Sequence, residues 1–367
     1  MQINRRNWLK QLGIGVSGIG LAKFNTFASP TADFFESMVV DATINLNSNE
    51  NPYGPSPLAR AAMTKSINSS NRYNWQLTAD LVEALAKKNK VSAENILIGA
   101  GSTEIIDLVV RLSAATKGNL VTANPSYDNW LPTAKKLGLQ AIKVPLNANK
   151  ELNLEAMLQA ISSDTRLVYV CNPNNPTGTI CEYNKLLNFI NEASKKAIVL
   201  VDEAYLDFSK ETSLGPLVVG NKNLIVVKTF SKLHGLAGAR IGYAIGDAAT
   251  LEELGALQSW VSGNISVVSA TAALAALTDE KFMAETSALN EQVKKYTIEQ
   301  LQQLNLACIP SHSNFIYFSL ANYKQDYFQK LSSNKIIGTR IYEEAGLWTR
   351  ITIGTREEMD RFVGVMR

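Results

Sequence analysis

The stretch L-V-Y-V-C-N-P-N-N-P-T-G, residues 167–178, predicts the type of fold. Its first five residues are apolar without alternation, which is typical of a β-strand covered on both faces. A polar loop follows directly, and its two prolines hold the Asn side chains at fixed positions. Open α/β sheets bind ligands outside the carboxyl ends of their strands, so this loop is a candidate ligand site.

The same pattern of strand, polar loop and helix recurs along the chain. Unbroken apolar runs lie at 96–98, 120–121, 198–201, 224–227 and 241–245, and helix-length segments lie at 102–115, 129–137 and 182–195. This alternation predicts an α/β domain with a mostly parallel, seven-stranded-type sheet between helices.

The pattern changes after residue 263, which predicts a second, smaller domain. A long helical tract at 279–304 precedes strand-like segments at 314–319, 338–342 and 347–353, and a last helix begins at residue 357. We therefore predict a large domain over 71–263 and a C-terminal α+β domain over 264–367. Residues 29–70 are predicted to form an N-terminal arm and part of the small domain.

Composition excludes several classes of protein. The 367 residues are 46% hydrophobic and carry a formal net charge of +3, with no block of like charges. We expect neither a nucleic-acid partner nor disorder, and no apolar run reaches the length of a membrane span. Three cysteines without paired spacing and two histidines predict no metal site and no His-based nucleophile triad.

The amino terminus resembles a twin-arginine export signal. Residues 4–10 read N-R-R-N-W-L-K, a weakly apolar stretch without acids follows, and T-F-A at 26–28 offers a cleavage site. We predict that residues 1–28 are a signal segment and that the protein is periplasmic or exported. The alternative is an amphipathic first helix on a cytoplasmic protein.

Four segments that follow predicted strands carry polar side chains. They are G-A-G-S-T-E at 99–104, the Asn loop at 172–178, V-D-E-A-Y at 201–205 and T-F-S-K at 229–232. The first can bind phosphate at a helix amino terminus, although Glu104 departs from the dinucleotide fingerprint. Asp202 at the end of a buried strand should have a cationic partner. Lys232 amid apolar residues can have a lowered pKa and act as a nucleophile.

Each segment also has an ordinary structural interpretation. The first is compatible with a tight turn, Asp202 with a helix cap, Lys232 with a solvated loop residue and Arg240 with a surface charge. The order in which these segments and Arg240 follow one another along the chain favours the functional interpretation over the structural one. A phosphate-binding turn, an Asn loop, a buried acid with a nearby phenol, and an adjacent Ser-Lys pair followed by Arg are the parts that hold pyridoxal phosphate.

From about residue 46 onward the chain resembles the class I/II pyridoxal-phosphate aminotransferases of fold type I, and within them the histidinol-phosphate aminotransferase group. The resemblance rests on these four segments and on the strings L-N-S-N-E-N-P-Y-G-P-S-P (46–57), N-R-Y (71–73), N-P-S-Y (124–127), L-H-G-L-A-G-A-R-I-G-Y (233–243) and R-I-T-I-G-T (350–355). It implies an amino group transferred between an amino donor, histidinol phosphate or a related amino acid, and a 2-oxo acid such as 2-oxoglutarate.

The resemblance assigns roles to individual residues. It implies that Lys232 forms the internal aldimine, that Asp202 pairs with the pyridine nitrogen and that Tyr205 binds the ring hydroxyl. These three are the implied catalytic residues. The other implied cofactor residues are Ser102, Thr103, Tyr127, Asn175, Thr229, Ser231, Arg240 and, from the partner subunit of a homodimer, Tyr73. The implied substrate residues are Arg350, Arg340 and Asn51.

Two departures from the group lie at the substrate end. The stretch 31–44 lacks the usual Y-x-P-G segment, and Asn74 and Trp75 follow Tyr73 where the group usually has Pro. Two other functions stay open at this point. One is a decarboxylase resembling threonine-phosphate decarboxylase, and the other is an exported cofactor-binding module without turnover.

Overall fold

A computed structural model describes residues 43–259 and 265–367. The predicted signal segment and residues 29–42 of the predicted arm lie outside the described residues, and so does the predicted boundary at 263/264. No helix in the described part of the chain is long and apolar enough to cross a membrane.

Seven strands form the large sheet, in the order β2-β8-β7-β6-β5-β3-β4. They are β2 (Ile96–Gly99), β3 (Gly118–Asn124), β4 (Leu139–Pro145), β5 (Thr165–Cys171), β6 (Ile198–Asp202), β7 (Leu224–Thr229) and β8 (Gly242–Gly246). The strands from β7 to β4 are parallel to one another, and β8 is antiparallel to both its neighbours. The structure confirms the predicted α/β architecture with a mostly parallel sheet.

Strand β4 was missing from the sequence-based prediction. It pairs only with β3, at the edge of the sheet, and four of its seven side chains in a row are exposed. An edge strand is only partly covered, so Gln140 and Lys143 break the apolar run that identified the central strands.

A second, four-stranded antiparallel sheet has the order β12-β13-β10-β9. Its strands are β9 (Cys308–Ile309), β10 (Phe315–Ser319), β12 (Ile341–Glu343) and β13 (Trp348–Thr352), and a separate short parallel pair joins β1 (Ile44–Asn45) to β11 (Ile336–Ile337). The α+β character predicted for the C-terminal part is confirmed.

Helices cover both faces of the large sheet and pack beside the small one. Their bounds are Pro57–Ser66, Trp75–Asn89, Ser102–Ser113, Leu131–Lys136, Leu154–Gln159, Tyr183–Ala193, Ala248–Leu257, Val267–Thr278, Glu280–Gln303, Tyr327–Ser333 and Arg356–Met366. The domain boundaries stay predictions. Ala59 from the first of these helices and Ala273 from Val267–Thr278, on either side of the predicted large domain, share one core of the large sheet.

Asn74 explains one departure from the family pattern. Its side chain accepts a hydrogen bond from the backbone N–H of Leu77 at 3.0 Å and caps the helix Trp75–Asn89. An Asn cap satisfies one of the unpaired N–H groups of a first helical turn. At the position where the group usually has proline, Asn74 thus starts the helix as a side-chain N-cap.

The first residue of β8 brings this strand against the helix Ser102–Ser113. A Cβ atom at Gly242 would lie 2.6 Å from the carbonyl carbon of Gly101 and closer still to the backbone nitrogen of Ser102. Only glycine allows this approach. It places the amino terminus of the helix beside the ends of the sheet strands.

We therefore expect Gly242→Ala to lower the free energy of unfolding by roughly 1–3 kcal/mol, because the new methyl group overlaps backbone atoms that cannot rotate away. Gly364→Ala is the matched control, since nothing lies within 4 Å of its added Cβ in the last helix. The free energy of unfolding of the Gly364→Ala control should rise by up to about 1 kcal/mol. Urea denaturation of both variants measures the difference, and equal midpoints would contradict the prediction.

Candidate active site

A cavity of about 320 Å³ lies at the carboxyl ends of β5, β6 and β7. It is lined by Ser48, Glu50, Ser102, Thr103, Tyr127, Cys171, Asn175, Asp202, Ala204, Tyr205, Thr229, Ser231, Lys232, Ala237, Gly238 and Arg240. The structure thus brings together every predicted cofactor residue except Tyr73. The amine, the carboxylate and the guanidinium that the sequence places far apart surround one cavity.

Lys232 provides the reactive amine of this cavity. Its Nζ donates a hydrogen bond to the carbonyl oxygen of Ser48 at 2.9 Å and lies 5.5 Å from the ring centroid of Tyr205. Burial, together with the nearby Arg350 guanidinium, lowers the pKa of Lys232 to about 8. A lysine with this pKa is a far better nucleophile and base near neutral pH than an exposed one.

Asp202 is a buried carboxylate whose partners differ from the prediction. Its oxygens accept hydrogen bonds from the Tyr169 hydroxyl at 2.8 Å and the backbone N–H of Ala204 at 3.0 Å. Within the described residues Asp202 forms no ion pair with a Lys, Arg or His side chain. The structure therefore does not provide the predicted cationic partner from the protein itself. Burial raises the pKa of Asp202, against the hydrogen bond from Tyr169.

The helix Ser102–Ser113 begins at the cavity and points its first turn into it. Its N-cap is Gly101, at φ +88°, and no side chain caps the first turn. A Cβ at Gly101 would lie 3.0 Å from Cζ of Arg240. The open N–H groups, the positive end of the helix dipole and this guanidinium together suit an anion such as phosphate.

Two hydroxyls and Arg240 complete the anion-binding end. Thr229 Oγ1 lies 3.0 Å from Ser231 Oγ, and Arg240 Nη1 lies 3.4 Å from the same Ser231 oxygen. Arg240 also donates to the carbonyl oxygen of Ala237 at 2.9 Å. This second bond fixes the guanidinium, so the site has its donors in place.

The phenol of Tyr205 lies between two Asn side chains. Asn49 Nδ2 donates to its oxygen at 2.9 Å, and Asn175 Nδ2 lies 3.4 Å from the same atom. Burial raises the pKa of Tyr205 well above its usual range, so it remains a neutral phenol that can donate a hydrogen bond.

A second cavity of about 560 Å³ adjoins the first and shares Ser48, Tyr127, Asn175, Tyr205 and Lys232 with it. Arg350 and Arg340 both line this second cavity. It lies next to the reactive amine and contains two guanidiniums, which makes it the candidate substrate site.

Arg350 is buried and held by neutral groups. Its Nη1 donates to Asn175 Oδ1 and its Nη2 to the carbonyl oxygen of Asn47, both at 2.5 Å. Its guanidinium carbon lies 5.3 Å from the centroid of Phe315. Its Nε is buried without a hydrogen-bond partner in the described part of the chain, so the guanidinium keeps donor capacity for a substrate.

Two predicted residues lie outside both cavities. Asn51 uses its side chain locally, because Nδ2 donates to the carbonyl oxygen of Leu233 at 2.8 Å and Oδ1 accepts from the N–H of Tyr53. Its amide holds the N-terminal segment against the Lys232 loop instead of contacting a substrate. Tyr73 is 73% exposed and stacks on Trp75 at 5.9 Å.

Sequence reasoning missed Asn49 and Tyr169. Asn49 adopts a left-handed backbone conformation with φ +54°, which Asn tolerates better than most residues. The string N-S-N-E-N-P contains three Asn residues, and nothing in the sequence shows that the second one, Asn49, contacts Tyr205. Tyr169 lay inside an apolar run and carried no signal of its contact with Asp202.

A model of the family described as aminotransferase class I and II matches residues 41–366. The chain belongs to this family. The histidinol-phosphate aminotransferase of Moorella thermoacetica is 34% identical over 344 residues, which span 92% of this chain and 88% of that protein. Histidinol-phosphate aminotransferase 1 of Psychrobacter arcticus is 33% identical over 95% of this chain and 93% of its own length.

A solved structure agrees with these relatives. The crystal structure of histidinol-phosphate aminotransferase from Sinorhizobium meliloti in complex with pyridoxal-5'-phosphate has a TM-score of 0.80 and 26% identity, and covers 89% of this chain and 91% of that one. Family membership confirms the fold-type I architecture, the transaminase activity and pyridoxal phosphate as the cofactor of this aminotransferase.

The residues of the first cavity fit this cofactor. Asp202 has no protein cation among the described residues, and a protonated pyridine nitrogen is the partner that a buried carboxylate requires. Ser102, Ser231 and Arg240 line the cavity with donors suited to a phosphate group, and Lys232 supplies the amine. The roles of the individual residues remain predictions.

The lowered pKa of Lys232 predicts how the aminotransferase takes up its cofactor. Only the neutral amine attacks an aldehyde, so attachment of pyridoxal phosphate to the apoenzyme should accelerate about tenfold per pH unit up to about pH 8 and then level off. Absorbance changes between pH 7 and 10 measure the rates. Nα-acetyl-lysine, whose side-chain amine keeps the ordinary pKa of about 10.4, is the reference. Dividing by its rates removes titration of the cofactor itself, so the ratio should be constant up to about pH 8 and then fall about tenfold per pH unit, and a ratio that stays constant to pH 10 would contradict the lowered pKa.

Proposed function

We propose that this aminotransferase transfers an amino group between histidinol phosphate or a related amino acid and a 2-oxo acid such as 2-oxoglutarate. The observation that carries the proposal is the position of Lys232, which lines both the cavity with Asp202 and the cavity with Arg350. One amine can therefore reach a cofactor and a substrate in turn.

Pyridoxal phosphate, when bound, accepts the electrons released at the substrate α carbon. Asp202 holds a proton on the ring nitrogen, because a buried carboxylate stabilises an adjacent cation strongly. Tyr205 and Asn175 would bind the ring hydroxyl, and Tyr127 would contact the ring. The residues that would hold the phosphate are Ser102, Thr103, Thr229, Ser231 and Arg240.

Lys232 moves the proton. Its Nζ would take the proton from the substrate α carbon and hold it for return to the cofactor. A base placed in this way typically contributes about 10²- to 10⁴-fold to the rate. With a pKa of about 8, a useful fraction of the amine is unprotonated at neutral pH.

Arg350 binds the carboxylate of the oxo acid or amino acid. Its planar guanidinium can offer two parallel N–H bonds to a carboxylate, which a lysine does not match. Hydrogen bonds to Asn175 and to the carbonyl oxygen of Asn47 hold the guanidinium in place. Arg340 lines the same cavity as Arg350 and is the candidate partner for a second anionic group of the substrate.

The donor screen tests the proposed substrates. Histidinol phosphate and a panel of amino acids are added to the holoenzyme at fixed pH, and we expect at least one to convert the cofactor to its amine form, as seen in the absorbance spectrum. Addition of 2-oxoglutarate should restore the original spectrum. Carbon dioxide release without consumption of an oxo acid would instead identify a decarboxylase, and no spectral change with any donor would favour a binding module without turnover.

Arg350→Lys should raise KM for the oxo acid by about tenfold or more while the cofactor stays bound, because one charge remains but the two-point contact is lost. Lys232→Ala is the contrasting variant and should lose the absorbance of lysine-bound cofactor altogether. If Arg350→Lys left KM unchanged, Arg350 would not be the carboxylate site.

We also propose a homodimer in which Tyr73 reaches the cofactor phosphate of the neighbouring subunit. Its exposure and its absence from the cavity of its own subunit support this assignment. Light scattering should give twice the chain mass of 40.1 kDa. A hybrid dimer of one Tyr73→Ala subunit and one Lys232→Ala subunit should be more active than either variant homodimer, because one of its two sites has both side chains. An enzyme that is active as a monomer would overturn the proposal.

Export by the twin-arginine route is the remaining proposal, supported by Arg5, Arg6 and the small residues at 26–28. Fractionation of the native host should place the mature chain outside the cytoplasm. Replacement of both arginines by lysine should retain it inside, and an unaltered distribution would refute the assignment.

A further inference from the structure

An acidic side chain faces one of the two arginines of the substrate cavity. Asp128 Oδ1 lies 3.2 Å from Nη2 of Arg340, and both residues line the cavity of about 560 Å³. Asp128 directly follows Tyr127, which lines both cavities. A carboxylate of the protein itself therefore neutralises a cation at the place where an anionic substrate group would bind.

The two arginines form one set because they share an aromatic neighbour. The guanidinium carbons of Arg340 and Arg350 lie 5.1 Å and 5.7 Å from the ring centroid of Tyr342. Pairing of β12 with β13, with Ile341 opposite Thr349, fixes this arrangement. Two anionic groups of one short substrate can therefore meet one arginine each.

The two arginines differ in how their charge is compensated. Arg350 is buried and contacts the neutral acceptors Asn175 and Asn47, with no carboxylate in ion-pair contact among the described residues. The side chain of Arg340 is 63% exposed, and that of Asp128 is 36% exposed. Only Arg340 has its charge offset by a neighbouring carboxylate, so the two sites do not attract anions equally.

We propose that Asp128 is a specificity-determining residue that competes with the second anionic group of a substrate for Arg340. The inference rests on the proposed function, in which Arg350 takes the first carboxylate. A dianion must displace the Asp128 carboxylate from Arg340, whereas a substrate with a neutral side chain leaves the pair intact. Asp128 therefore narrows the affinity difference between dianionic and monoanionic substrates.

Binding of two unreactive ligands to the holoenzyme tests this competition. Glutarate carries two carboxylates and pentanoate one, on chains of equal length, and calorimetry at fixed pH and salt gives both dissociation constants. Asp128→Asn should bind glutarate about two- to fivefold more tightly, the effect expected of an exposed ion pair, and leave pentanoate unchanged. Asp128→Ser should give the same result.

A double-mutant cycle identifies Arg340 as the contested partner. Arg340→Leu should weaken glutarate binding, and Asp128→Asn should have no further effect in that background, because nothing remains to compete for. Asp360→Asn is the charge-matched control. Asp360 pairs with Arg356 at 2.9 Å in the last helix, lines neither cavity, and should leave both ligands unaffected.

Three outcomes would overturn the inference. They are an unchanged glutarate constant in Asp128→Asn, an equal gain for glutarate and pentanoate, and a gain that persists in the Arg340→Leu background. The binding measurement needs no turnover. Failure of the donor screen would thus remove the proposed function, while failure of the cycle would remove only the role of Asp128.

Discussion

The active site depends on the hydrogen-bonded register between β5, β6 and β7. Cys171 lies opposite Asp202, and Asp202 lies opposite Val227. The ladder continues beyond the strands, since the N–H of Asn172 donates to the carbonyl of Asp202 and the N–H of Glu203 to that of Val227. Three loops therefore leave the sheet side by side, and a slip of one residue would turn Asp202 to the opposite face.

The alternation of side chains along these strands also explains a buried charge cluster behind the cavity. Glu203 and Lys228 each neighbour a cavity residue, Asp202 and Thr229, and they point to the other face. Their charged atoms lie 3.2 Å apart, and Asp207 lies 3.6 Å from the same amine. Glu203 is further bonded to Ser213 and to the N–H of Leu214, which secures the strand ends.

Much of the site was predictable because its residues follow strands, where local sequence fixes position. Asp202, Lys232 and the loop with Asn175 each end an apolar run, so the parallel order of the sheet brings them together. Contacts that depend on distant segments were not predictable. Asn49 meets Tyr205 across 156 positions of sequence, and neither residue type nor spacing distinguishes it from Asn51.

The central strands of the large sheet were predictable from the local sequence, whereas the prediction failed at an edge strand. Buried central strands reveal themselves through unbroken apolar runs, whereas edge strand β4 carries polar residues and looks like a loop. The positions of Arg340 and Arg350 depend on the pairing of β12 with β13. Such pairing sets which side chains share a ring such as Tyr342, and no periodicity in the sequence reveals it.

The cluster behind the cavity also determines what a titration of this enzyme can report. Neighbouring carboxylates raise the pKa of Lys228 despite its burial, and the Lys228 amine holds the pKa of Asp207 below its usual range. Burial lowers the pKa of His234 to about 4. Lys228, Asp207 and His234 therefore keep constant charge through the neutral range, and these three groups add no proton exchange to that of Lys232.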